Sequence, residues 1–234
     1  MKLTFRQGIA RHRDVITFKQ FLTERARTPV HLGYVKSKLK ELRPVLWEKD
    51  LTTDQILDAL NDAFGKLLVR FDVHGVYRES NYGRAGLGGA EYSHTGWITI
   101  HLLDDIDLTL DGRTHAQYED FSSLCAASIA HELTHRDQVL KHDGNIDNPK
   151  DPDRLRDYLA DHREMESFAV QAALEMLASF DGVEILKKLS SSKGIEELSK
   201  YSDSLEMYLS VFNMPSSIMN KFLKKLHAVL TEDE

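Results

Sequence analysis

Within Ser128–Gln138, "SIAHELTHRDQ", the chain sets His131, Glu132 and His135 in the order H-E-x-x-H. Residues four apart on a helix lie one turn above each other, about 40° apart round the axis, so both imidazoles can reach one point. Two neutral imidazoles at one point are the beginning of a zinc site. A hydrolytic zinc usually takes three protein ligands and leaves a fourth position for water, whose pKa it lowers towards about 7. Glu132 follows His131 directly, about 100° further round, so it falls beside the two ligands as a proton acceptor rather than among them. With 11 His in 234 residues the motif arises by chance in roughly one such sequence in twenty or thirty, so it needs a third ligand.

The next helical stretch offers two. "YLADHREMESFAVQAALEML" carries Glu164 and Glu166, two residues and about 200° apart on a helix, so only one can face a metal. Spacing alone leaves the choice open. His94, His101, Tyr158, Tyr201 and Tyr208 are further groups that could meet a substrate or a developing oxyanion, and each also has an ordinary structural reading. Cys125 stands six residues before His131 and reads as a buried structural thiol, not a nucleophile. "DGNIDNPKD" is acidic but lacks the register and closing glutamate of an EF-hand, which makes it a solvated loop.

The elements that must position these groups follow from periodicity. A long helix is expected from Phe121, capped near Asp120 or Ser122, through the motif to about Leu140, with Ala126, Ala127 and Ala130 leaving room for a close neighbour. After the linker "KHDGNIDNPKDPD", with its Gly144, Pro149 and Pro152, a further helix is expected from about Arg154 to Phe180. Upstream, "LTTDQILDALNDAFGKLLVRF" reads as one helix, capped by Thr52 or Thr53, because Ile56, Leu57, Leu60, Phe64, Leu67 and Leu68 recur at helical spacing. "YRESNYGRAGLGGAEYSHTG" reads as a loop; its glycines fit neither a phosphate loop nor a dinucleotide fingerprint. "WITIHLL" alternates as a strand, expected at a sheet edge beside the metal helix, and "DIDLTLDGRTHAQYED" alternates again with a turn at Asp111-Gly112. Near the start, "VITFKQFLTE" suggests a short helix or extended arm, and Pro29 disfavours helix at Thr28. Two or three helices fill residues 183 to 230, broken at "NMPSS". The expected class is α+β: helix-rich, with a small sheet and a helical C-terminal part.

Composition narrows the function. An apolar share of 41% fills an ordinary core, and no run of about 18 apolar residues or signal-type N-terminus stands out, so neither membrane spanning nor export by a common signal is expected. A single cysteine excludes a disulfide framework and any cysteine-rich zinc module, and fits a reducing cytoplasm. Zinc would therefore be held by His and carboxylate. The net charge of -7 is uneven: residues 1–50 carry an excess of seven positive charges and the remainder fourteen negative. The basic segment reads first as a solvated helical surface, with nucleic-acid contact as the alternative, although it holds no nucleic-acid motif.

"HELTH" followed on the next helix by "EMESFA" resembles the glutamate zincins, such as thermolysin-like and ImmA/IrrE-type peptidases, over roughly residues 97–180. The resemblance implies that Glu164 is the third ligand, with Ser167 as the small residue of the E-x-x-A/S motif. His131, His135 and Glu164 would then hold Zn2+. Glu132 would be general base and afterwards proton donor to the leaving amine, and the substrate a protein or peptide laid along a sheet edge. "YLADHREMESFA" also resembles a pattern in small bacteriophage and bacterial metallopeptidases, which implies a host-cytoplasmic or virion location. On this reading residues 1–50 are a basic N-terminal segment, 51–182 a zincin-like metal-binding domain, and 183–234 a helical part packed on it. One position departs from the family. Thermolysin-like enzymes have an aspartate four residues after the glutamate ligand to orient a zinc histidine; here Phe168 stands there, and that role passes to Asp157, Asp161 or Gln171. Two rivals remain: a virion-associated structural or interaction protein that keeps the fold without turnover, against which Glu132 speaks, and a nucleic-acid-associated protease guided by residues 1–50.

Overall fold

The structure is a computed structural model that describes residues 28–47, 51–73, 87–93, 96–102, 115–141 and 155–231. The first described element is helix α1, Thr28–Trp47, whose Val35, Leu39 and Leu46 are buried. Thr28 is helical despite Pro29, because proline in a first turn lacks only an N–H that has no helical acceptor there. The expected element at 15–24 lies outside the described residues.

Helix α2, Thr53–Phe64, is capped as its sequence suggests. Thr52 and Gln55 exchange side-chain to backbone hydrogen bonds, Gln55 N to Thr52 Oγ1 at 3.4 Å and Thr52 N to Gln55 Oε1 at 2.9 Å. Ile56, Leu60 and Phe64 form its buried stripe. The helix stops well short of Phe71, the end that apolar periodicity suggests. A 3-10 turn, Gly65–Leu67, and Leu68 in the left-handed region (φ 58) turn the chain into strand β1, Val69–Val73. Val69 and Phe71 are buried while Arg70 and Asp72 are exposed, the two-residue period of a strand. Asn61 of α2 clamps the strand, accepting from Phe71 N at 2.7 Å and donating to Phe71 O at 3.2 Å.

The sheet has the order β1-β3-β2, with β2 at Leu87–Tyr92 and β3 at Ile98–Leu102. β1 runs parallel to β3 and β2 antiparallel to it. Two expectations change here. "WITIHLL" supplies the central strand, not an edge: Ile98, Thr99, Ile100 and Leu102 are all buried, as in a strand covered on both faces. The outer strands among the described residues are β1 and β2, and β2 is drawn from the glycine-rich stretch whose composition suggests a loop. A register shift between Leu87 and Gly89, with Gly89 at φ 147, places a bulge there, and an edge is where a sheet accepts one.

Helix α3, His115–Lys141, is 27 residues long and begins six residues before Phe121. Tyr118 accounts for the early start: it is buried and its hydroxyl donates to the Leu39 carbonyl of α1. The alternating stretch at Asp111-Gly112 and the loop 143–151 lie outside the described residues. The expected helix from Arg154 to Phe180 is two, α4 (Leu155–Ala160) and α5 (His162–Leu177), divided at Asp161, which caps α5 by accepting from Arg163 N at 2.8 Å. Four short helices follow: α6 (Gly182–Leu189), α7 (Ser192–Ser199), α8 (Asp203–Val211) and α9 (Ser217–Thr231), with side-chain caps from Asp181, Ser191 and Ser202 on the first three. The class is α+β, helix-rich around a small mixed sheet.

Two apolar cores result. One joins α1, α2, the sheet and α3, from Val35 to Leu133; the other joins α4 to α9, from Leu159 to Leu230, around the stacked rings of Tyr208 and Phe222 at 3.9 Å. The first runs across residue 50 and the second across residue 182. Ala127 and Ala130 of α3 meet Leu174 of α5 between them. Small residues at that crossing let the two helices come close. Among the described residues no helix is long and apolar enough to cross a membrane.

Candidate metal centre

The crossing of α3 and α5 brings His131, His135 and Glu164 together. His131 and His135 are one turn apart on α3, and Glu164 lies in the first turn of α5, so each core contributes to the cluster. His131 Nε2 lies 3.0 Å from His135 Nε2; Glu164 Oε2 lies 3.2 Å from His135 Nε2 and 3.8 Å from His131 Nε2. Tetrahedral bonds of ~2.0–2.1 Å to a central zinc separate the ligand atoms by about 3.3–3.4 Å. The three distances bracket that value.

The polar bookkeeping fits a cation as well. Glu164 Oε2 is buried and has no hydrogen-bond partner, and two ring nitrogens at 3.0 Å can share one proton at most. A divalent metal would satisfy all three lone pairs at once. Burial, reinforced by the adjacent His135, pulls the His131 pKa down to about 3, so this imidazole is neutral, the form that ligates. Burial is the largest single influence on His135 and acts downward, but Glu164, Glu132 and Gln138 together outweigh it and the net shift is upward.

Glu132 is buried beside the cluster and is not part of it. Burial pushes its carboxyl up to about 7; Glu164 and Glu91 add to this, while His135 and an N–H donated by Tyr92 of β2 oppose it. The outer strand β2 therefore touches Glu132 through its backbone.

Glu166, the other candidate ligand, points away: its Oε2 lies 3.4 Å from Gln138 Nε2 and 3.8 Å from Lys225 Nζ of α9. Of the groups that could orient the histidines, Asp161 serves as the α5 cap. Gln171 comes up to His131 and favours a proton on the ring, while the buried Nδ1 of His131 has no hydrogen-bond partner. Gln171 is steadied by Glu175 at 3.1 Å, itself held by the hydroxyls of Ser202 and Ser204 at 2.6 and 3.0 Å. Phe168, where the family resemblance leads one to look for aspartate, packs its ring edge-on to His131 at 4.5 Å. It fixes the imidazole plane by contact.

The tyrosines separate clearly. Tyr158 hydrogen-bonds the Glu164 carboxylate, Tyr208 is buried and donates to Leu159 O at 2.8 Å, and Tyr201 is largely exposed against Phe180. His101 on β3 lies 3.8 Å from Glu91, and His94 falls outside the described residues. The Cys125 thiol is wholly buried and its pKa is pushed up by that burial, as expected of a core residue. Gln138 is a site residue that the motif alone does not single out. Its signal is present in the sequence: it stands one turn after His135 on the same helix face. The chain matches no known family model, no curated protein and no solved structure.

Proposed function

We propose that this chain is a zinc-dependent peptidase of glutamate-zincin type, in which His131, His135 and Glu164 hold the metal and Glu132 moves the proton. One observation carries the reading: three candidate ligand atoms 3.0–3.8 Å apart, around the spacing of a tetrahedral site, with a second buried carboxyl group, Glu132, alongside and outside the set. A purely structural site has no use for that extra carboxyl group. A zinc ion held there would supply Lewis acidity towards water and the scissile carbonyl. Glu132 accepts the proton of the attacking water and returns it to the leaving amine. Tyr158 stands beside Glu164 from outside the cluster. Substrate would lie along β2, which pairs on one side only among the described residues and offers its outer backbone to an extended peptide. The test is metal analysis of the purified protein together with cleavage of a peptide library. Stoichiometric zinc and chelator-sensitive cleavage are expected; zinc without cleavage of any peptide favours the structural rival, and absence of bound zinc removes the reading.

A further inference from the structure

His135 meets the cluster through Nε2, so its other ring nitrogen decides whether Nε2 carries a proton or a lone pair. Nδ1 lies 3.1 Å from Gln138 Oε1 and 3.3 Å from Ser167 Oγ. Which end of the Gln138 amide faces the ring is settled on its far side. There its Nε2 lies 3.1 Å from the Arg163 carbonyl oxygen and 3.4 Å from Glu166 Oε2. Both of these are acceptors for the amide N–H groups. Turned round, the amide would set its own oxygen against two others and lose both bonds. The oxygen therefore faces His135 and, since it can only accept, draws the proton to Nδ1, against the Glu164 carboxylate 3.2 Å from Nε2, which draws it the other way while no cation stands between them. A neutral imidazole protonated at Nδ1 has its lone pair on Nε2, the atom directed at His131 and Glu164.

We infer that Gln138, oriented by the Arg163 carbonyl and Glu166, is a positioning residue that fixes His135 in the tautomer able to bind a metal through Nε2. The inference rests on the metal-centre reading above. It also explains Glu166, since the carboxylate two residues from the ligand acts on the centre through Gln138, with Lys225 of α9 behind it. Gln138 joins the ends of the two ligand helices, because its amide bonds the α5 backbone one residue before Glu164. An amide in this place orients the imidazole without adding negative charge beside the buried Glu132 and Glu164.

The test has two parts. Long-range proton–nitrogen correlation on the metal-free protein at alkaline pH, where imidazoles are neutral, is expected to show His135 protonated at Nδ1. Protonation mainly at Nε2 in the folded wild type overturns the inference whatever zinc does. Zinc affinity is then measured by competition with a chromophoric chelator. Gln138→Met, which keeps the length but cannot accept, is expected to lose about 10- to 100-fold and, in the metal-free protein, to lose the preference of His135 for a proton on Nδ1. Unchanged affinity or an unchanged tautomer in the folded Met variant overturns the inference. If the Met variant does not fold, the wild-type tautomer decides alone. Failure of the wild type to bind zinc removes the proposed function, while the tautomer measurement still reads the role of Gln138.

Discussion

Replacing Glu132 by Gln separates an enzyme from a structural zinc protein. The amide keeps size and the bond from Tyr92 but cannot accept a proton, so zinc content and fold are expected to stay normal while peptide cleavage falls by roughly 100-fold or more. Retained cleavage would place the base elsewhere. Among the ligands, Glu164→Gln is expected to weaken zinc by at least about 10-fold, because a direct ligand should matter no less than an outer one. His131→Ala and His135→Ala are expected to abolish stoichiometric zinc altogether. Metal analysis after dialysis reads all three, and full zinc retention in both histidine variants would remove the centre.

At the level of elements, close approaches carry the consequences. Gly194 of α7 lies so near the Lys188 carbonyl that a Cβ built there would sit 2.1 Å from its oxygen. Helix propensity favours alanine over glycine by about 1 kcal/mol, but here the main chain of α6 must move to admit the methyl group. Gly194→Ala is expected to lower the urea midpoint despite its better propensity; a raised midpoint would show that α6 and α7 are not so closely packed. The α3–α5 crossing is a second such place. Ala130→Leu puts three extra carbons between the helices that carry the ligands, at a cost of about 1–3 kcal/mol. Zinc affinity is expected to fall with stability, because the same displacement moves Glu164 away from the histidines.

Across the whole molecule the centre joins two cores that are otherwise distinct. His131 and His135 stand on the helix of the first, Glu164 on a helix of the second, so bound metal should act as a staple between them. A ligand at 100 times its Kd stabilises the native state by about 2.7 kcal/mol when it does not bind the unfolded chain. Chelator treatment is expected to lower Tm by several degrees in the wild type and to leave His135→Ala unaffected. An equal drop in both would assign the effect to the chelator or to metal bound elsewhere.

The sequence by itself determined the local facts. Two imidazoles four apart on a helix face one way whatever surrounds them; Thr52 caps because Gln55 follows at the right distance; a continuous β-branched run becomes a strand. Glu132 beside the two histidines is likewise a matter of helical angle. The tertiary structure decided what depends on a partner. Glu164 and Glu166 are equivalent by spacing, and only the packing of α5 on α3 turns the first towards the imidazoles and leaves the second to Gln138 and Lys225. "WITIHLL" became the centre of the sheet and the glycine-rich stretch, expected as a loop, supplied an outer strand, because alternation shows which side chains are buried, not how many strands lie alongside. The strand hidden in "LLVRFDV" is masked by apolar residues continuous with the preceding helix, until Leu68 reverses the chain. Gln138 lies in plain view after the motif. Its role depends on a carbonyl and a carboxylate 25 and 28 residues further along, and periodicity within one helix cannot bring those two acceptors to it.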